Sequence, residues 1–358
     1  MNRKHSTVYA IFCTLLLAAG FVAVFFFAWQ KETEDMVKCI VGFVLGFILT
    51  PVIHEIGHVT FAKTAKMECV YVKCFCLKFY RKNGKKAIAF ASPFAPDETQ
   101  VLPKTGGDMR RRASAYAVGG LVFSFILILV TVASALCVQI FLAPNYLLWG
   151  ILPYMGYSFL LNIAPAEYPS GKTDTAVYRG LKKGYDAEEN MLAAMEIQGQ
   201  LFEGKSFAEI EETLYFNTPQ LCEDEPLFAV MLDLRYRYYL EKGDMENAAA
   251  CLNRLASVAD YMPIGEAEKV AAELVYMASL RGEKEIAEEN AKACQAFLRG
   301  ETATAKRILA AWSQTSGQTE FVEALLVQAE DCLQKERVAG VKKFEQILLS
   351  RIESGKNG

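Results

Sequence analysis

Histidine is nearly absent from this chain, with three in 358 residues. Any metal site must therefore draw part of its ligand set from carboxylates or thiols. No phosphate-binding glycine loop occurs, so nucleotide dependence is not expected. The ten cysteines are scattered, several inside apolar runs. They form no disulfide framework and suit reduced thiols in membrane or cytosol. Beyond residue 180 proline is reduced to Pro219, Pro226 and Pro263, which leaves that half free to be helical.

What is present is apolar. Hydrophobic residues make up 53% of the chain and the mean hydropathy is +0.16. That average is high for a purely soluble protein and low for a pure bundle of spans. Residues 1–175 hold 17 Lys/Arg against 10 Asp/Glu, whereas residues 176–358 hold 21 against 31. The formal charge of −3 thus conceals a basic, apolar half and an acidic one. An acidic polar half repels phosphate, which argues against nucleic acid as a partner.

Four apolar stretches, near residues 7–29, 37–62, 113–142 and 146–164, are long enough to cross a hydrocarbon core, which takes roughly 20 helical residues. The first lacks a small-residue cleavage site before its polar end and is expected to be retained rather than removed as a signal peptide. The connection at residues 63–112 carries twelve Lys/Arg and four acids, and the other connections carry few basic residues. The positive-inside rule places that loop, both termini and the acidic half in the cytosol. Arg110, Arg111 and Arg112 read as a topology anchor. Within the loop, residues 69–80 read as one strand and 87–91 as a second, joined through Asn83-Gly84, a strong hairpin signal. Cys69, Cys74 and Cys76 match no zinc spacing and read as ordinary strand thiols.

Two of the three histidines stand in His54-Glu55-Ile56-Gly57-His58, an HExxH motif. Positions i and i+4 share a helix face, so both imidazoles can hold one zinc ion, and Glu55 lies beside them as a base for water. Ionisable groups inside a span are costly unless they function. Pro51, one turn earlier, loosens the helix there and can admit water. Two histidines leave the site a ligand short. Asp174 and Glu167 are the only acids between Asp108 and Asp186, and either can supply it.

With HExxH in one span, and Asn162-Ile163-Ala164-Pro165 with Asp174 two spans later, the chain resembles the site-2 protease family of intramembrane zinc metalloproteases. The resemblance covers about residues 37–180. It implies a bound Zn2+ held by His54, His58 and Asp174, with Glu55 as general base. It also implies Asn162 as a contact to substrate backbone or oxyanion. Gly119-Gly120 resembles the small-residue patch by which the family's core helices pack. Thr175 departs from the family, which has glycine after the aspartate. A β-branched residue resists positive φ, so the ligand loop is expected to turn differently here, with Glu167 as the other candidate. The resemblance further implies an unwound transmembrane substrate held as a strand against the hairpin.

The acidic half repeats a phrase at Gly243–Ala248, Gly282–Ala287 and Gly300–Ala305, each with glycine, an acid, and alanine four residues after the acid. Glycine suits the end of one helix and an acid the start of the next. This is similar to a degenerate tetratricopeptide-type array, and an ordinary helical bundle fits nearly as well. Either serves as a docking site for a cytosolic peptide or regulator, or as a cap on the membrane core. Tyr236, Tyr238 and Tyr239, beside Arg235 and Arg237, form a binding face or a packing stripe.

The expected fold is mostly α. Residues 1–36 form the first span and a short external loop. Residues 37–179 form the metalloprotease core, a four-span bundle in all with a β-hairpin in its cytosolic loop. Residues 180–358 form a cytosolic helical domain. The expected protein is a multi-pass zinc endopeptidase of a bacterial cell membrane, in contact with lipid and a transmembrane substrate. One alternative is the other HExxH membrane class, with Glu188 or Glu189 as third ligand. Another is a non-proteolytic scaffold with a vestigial zinc site.

Overall fold

The computed structural model describes residues 3–82, 85–92, 97–168 and 171–355. Their contacts divide the chain into two compact units. One holds Met1–Leu102 and Asp108–Glu188, the other Pro103–Gly107 and Glu189–Gly358.

The first unit is built on helices α1 (Arg3–Trp29), α2 (Thr33–Thr64), α3 (Met109–Phe141) and α4 (Tyr146–Ile163). The first three are long and apolar enough to cross a membrane. They turn large apolar side chains such as Leu15, Val44 and Val130 outward, which suits lipid rather than water. Helix α4, where the fourth span was expected, has 18 residues with Pro153 inside and falls outside that class. Its Trp149, Pro153, tyrosines and Asn162 dilute its apolar character.

Helix α2 is central and packs on α1, α3 and α4. Gly42, Gly46, Thr50, His54 and His58 recur every four residues on its buried side. A Cβ at Gly42 would overlap the Leu147 carbonyl of α4, and one at Gly57 would overlap the Gly119 carbonyl of α3. These glycines let the backbones meet directly, as membrane helices do where small residues face each other.

The loop between α2 and α3 differs from the expected two-stranded hairpin. It forms four strands, β1 (Met67–Cys74), β2 (Leu77–Lys82), β3 (Lys85–Phe90) and β4 (Glu98–Pro103), in the order β3-β2-β1-β4. The single strand expected over 69–80 is broken at Phe75-Cys76, where Cys74 pairs with Leu77. No Gly, Asn or Asp marks that turn. Phe75 takes φ +52° because tertiary contacts hold it there. Its N–H donates to Asp97 Oδ1 at 2.7 Å, and its ring meets Phe47 of α2 edge-on at 5.5 Å. Lys73 Nζ donates to the same Asp97 oxygen at 2.8 Å. Strands β2 and β3 pair antiparallel from Leu77↔Phe90 to Lys82↔Lys85, and the expected turn residues Asn83 and Gly84 lie outside the described residues. A three-residue run of alternation on β4, with Glu98 and Gln100 exposed and Thr99 buried, sets Thr99 inward.

Arg110 and Arg112 do more than flank a span. Arg112 Nε donates to Ala65 O at 2.6 Å and its Nη2 to Lys66 O at 3.0 Å, capping carbonyls at the end of α2. Arg110 donates to Leu181 O near the end of α5 (Asp174–Lys183). Between α4 and α5 lie two short paired strands, β5 (Glu167–Tyr168) and β6 (Gly171–Lys172).

In the second unit helices follow one another closely. They are α6 (Asp186–Phe202, which starts in the first unit), α7 (Thr213–Phe216), α8 (Pro226–Lys242), α9 (Met245–Ser257) and α10 (Ile264–Leu280), then α11 (Lys284–Ala293), α12 (Gln295–Leu298), α13 (Ala303–Thr315), α14 (Val322–Leu333) and α15 (Ala339–Glu353). Helices α8 and α9, α10 and α11, and α13 and α14 pack in successive pairs. Gly243 and Gly282 close α8 and α10 at φ +78° and +74°, the left-handed ending expected of them. Gly300 does not take positive φ, and Thr302 rather than Glu301 caps α13. The three alanines of the phrase, Ala248, Ala287 and Ala305, are all fully buried.

Tyr236 and Tyr238 are buried and pack inward, and Tyr239 is half-buried. Burial, and then the Glu273 carboxylate that accepts its hydroxyl at 2.8 Å, push the Tyr236 phenol well above its usual range. Arg307, fully buried, bonds Glu273 Oε1 at 2.7 Å and Glu345 Oε2 at 2.8 Å and lies 4.0 Å from the Tyr276 ring centroid. One guanidinium thus joins α10, α13 and α15.

Candidate metal centre

His54 and His58 lie one turn apart on the buried side of α2, and Asp174 is the first residue of α5. His54 Nε2 stands 3.2 Å from His58 Nε2 and 3.1 Å from Asp174 Oδ2, and His58 Nε2 stands 3.3 Å from Asp174 Oδ1. One ligand atom from each residue falls within 4.8 Å of the others. Among the described residues this group contains Asp174 and does not contain Glu167, Glu188 or Glu189.

The donor set fits a cation. His58 Nδ1 lies 3.0 Å from the Tyr116 carbonyl, which can only accept, so Nδ1 carries the proton and Nε2 presents a lone pair. His54 Nδ1 lies 3.0 Å from Ser124 Oγ, which leaves its Nε2 facing the same point. With both Nδ1 atoms engaged, two Nε2 atoms and a carboxylate converge within hydrogen-bond range, a spacing that a metal ion or a shared proton would satisfy. Two nitrogens and one carboxylate match in number the three protein ligands of a catalytic zinc site.

Thr175 needs no positive φ. Asp174 sits at a helix start capped by Thr173, whose hydroxyl accepts from Ala176 N at 3.3 Å and donates to Ala164 O at 2.7 Å. The chain turns before the ligand, where Gly171 takes φ +130°, and Thr175 is an ordinary helical residue. A carboxylate at a helix N-terminus also gains from the helix dipole.

Glu55 is buried beside the two histidines, and its Oε2 accepts from Thr99 Oγ1 of β4 at 2.5 Å. Tyr116 of α3 donates its hydroxyl to the Thr99 carbonyl. Gly120 of α3 leaves room for the imidazoles, since a Cβ there would lie 2.5 Å from His58 Nε2 and 2.6 Å from His54 Nε2.

Asn162 is not brought to this group by any bond the structure contains. Its amide donates to Ser158 O within α4 at 3.2 Å. Glu188 ion-pairs Lys172 at 2.7 Å and lies against Gly180. Cys69 Sγ lies 3.6 Å from the Tyr71 carbonyl, and the cysteines are free. Sequence reasoning missed Thr99, Tyr116 and Ser124, which carry no motif. Gly119-Gly120 was the one legible hint that α3 approaches the HExxH helix.

Comparison with protein-family models, with curated proteins and with solved structures gave no match to this chain.

Proposed function

We propose that this protein is a zinc endopeptidase that hydrolyses peptide bonds in or next to transmembrane segments. The observation that carries the reading is the convergence of His54 Nε2, His58 Nε2 and the Asp174 carboxylate within 4.8 Å, on the motif that also supplies Glu55. His54, His58 and Asp174 would hold the ion. Zinc supplies Lewis acidity there, lowering the pKa of water to about 7 and polarising a carbonyl. Glu55 takes a proton from the attacking water and returns it to the leaving amine as the C–N bond breaks. The water oxygen ends in the new carboxylate. Burial of the site among α2, α3 and α5 keeps bulk water from competing.

On this reading α4 is a fourth span, both termini are cytosolic, and the setting is a bacterial cell membrane. The reading takes its orientation from the twelve basic residues of the 63–112 connection. The substrate segment unwinds and adds as a strand to a sheet edge. Strand β4, an edge strand carrying Thr99 against Glu55, is favoured over the β2–β3 hairpin for that role. Asn162 contacts substrate only if its side chain leaves Ser158. The helical unit offers a cavity of about 330 Å3, lined by Phe216, Phe228, Met231, Asn190 and Arg235, to a cytosolic peptide or regulator.

Zinc content of detergent-purified protein, wild type beside His54→Ala and Asp174→Ala, tests the reading. About one zinc per chain, lost in both variants, is the expected result. No zinc in the wild type after metal reconstitution overturns it and turns attention to the helical unit as a scaffold. Retained zinc in Asp174→Ala removes the site-2 ligand set alone.

A further inference from the structure

Glu55 is held by a residue far from it in sequence, on an element that is not part of the helical bundle. Thr99 is buried on β4, and its hydroxyl donates to Glu55 Oε2 at 2.5 Å. The carbonyl of the same residue accepts the Tyr116 hydroxyl, and the carbonyl of Tyr116 takes the Nδ1 proton of His58 at 3.0 Å. The ring of Tyr116 also tilts against that of His58, with centroids 5.1 Å apart. One continuous chain of contacts therefore runs from Glu55 through Thr99 and Tyr116 to a metal-ligand histidine. At its near end β4 is fixed to the sheet through Asp97, which binds both Lys73 Nζ and the Phe75 amide.

We infer that Thr99 is a positioning residue for Glu55. It fixes one carboxylate oxygen, Oε2, and leaves Oε1 as the atom that receives the proton. Tyr116 braces Thr99 and His58 together, so base and ligand keep one relative geometry. Because Thr99 belongs to an edge strand, whatever shifts β4 shifts the base with it. A free glutamate side chain samples several rotamers, and a fixed one meets the water without that search. The inference rests on the zinc reading above and adds a residue that HExxH does not contain.

The test uses zinc-loaded full-length protein in detergent and acetohydroxamic acid as probe. A hydroxamate chelates zinc and passes its proton to a neighbouring carboxylate, so its affinity reports where Glu55 stands without any substrate. Thr99→Val keeps shape and removes the donor, Thr99→Ser keeps the donor, and Glu55→Gln sets the lower limit. We expect zinc content and thermal midpoint to be unchanged in Thr99→Val and hydroxamate affinity to fall about tenfold, the worth of one hydrogen bond to a charged group. Thr99→Ser should stay within about twofold of wild type, and Tyr116→Phe should fall between the two. Wild-type affinity in Thr99→Val, while Glu55→Gln is weakened, overturns the inference and leaves the zinc reading standing. A weakened Thr99→Ser assigns the effect to packing and overturns it too. Absence of zinc from the wild type overturns both.

Discussion

Both units bury polar side chains of similar kinds, and they treat them in opposite ways. In the helical unit Glu273 and Glu345 are 5% and 1% exposed, and Arg307 lies between them with a bond to each. In the membrane-type unit Glu55 and His58 are each 5% exposed, and His54, His58 and Asp174 turn acceptors toward one another. The first network answers carboxylates with a guanidinium of its own. In the second, among the described residues, two imidazoles and a carboxylate meet one another with no lysine or arginine bonded between them. A buried polar group needs a partner in either case. A structural network finds that partner within the chain, and a ligand site leaves the position open.

Helix endings differ as well, though not strictly by unit, since α5 of the first unit also closes on a left-handed glycine, Gly184 at φ +68°. In the helical unit Gly243, Gly282 and Gly317 take the left-handed ending at φ +74° to +81°. Helix α2, which ends at Thr64, is followed instead by a non-glycine in that conformation, Lys66 at φ +56°, with Arg112 bonded to the carbonyls of Ala65 and Lys66.

The harshest way to break the comparison is Gly120→Ala. The added methyl occupies the space of both Nε2 atoms. Loss of metal binding, with helix content by circular dichroism retained, is the expected outcome. A Gly120→Ala protein that still binds one zinc would mean that α3 does not approach the histidines this closely.

Arg307→Met addresses the other side. It leaves buried Glu273 and Glu345 without their cation, and removing one partner of a buried ion pair costs about 3–5 kcal/mol. Thermal unfolding of the full chain should show the helical unit melting earlier with zinc content untouched. Adding Glu273→Gln and Glu345→Gln should recover part of the loss, because the carboxylates would no longer be charged. A triple variant no more stable than Arg307→Met would mean that the arginine acts by packing alone.

The smallest effect belongs to the helix endings. Lys66→Gly relieves a left-handed conformation that L side chains resist, and should stabilise the end of α2 by about 0.5 kcal/mol. Slower amide exchange at residues 61–66 would register it. Unchanged or faster exchange would show that Arg112 already compensates for the lysine.

Much of the site could be read in the sequence because its chemistry is local. His54, Glu55 and His58 lie within five residues, and helical spacing alone puts both imidazoles on one face. The three longest apolar runs likewise became helices long and apolar enough to cross a membrane, since length and hydropathy decide that property. The left-handed endings at Gly243 and Gly282 likewise followed from the recurrent glycine-acid phrase.

What the sequence left open needed contacts between distant segments. Choosing between Asp174 and Glu167 required the turn at Gly171 and the Thr173 cap, which set one carboxylate and not the other against α2. The turn at Phe75-Cys76 carries no turn residue and exists because Asp97 and Phe47 hold Phe75 in place. Thr99 has no sequence signal at all. It meets Glu55 across 44 positions because β4 joins the sheet beside β1, and a hydroxyl in a loop becomes part of the site only through that pairing. Local spacing thus picked out the candidate groups, while long-range packing decided which neighbours hold them, because a side chain's partners depend on backbone paths that no short stretch of sequence contains.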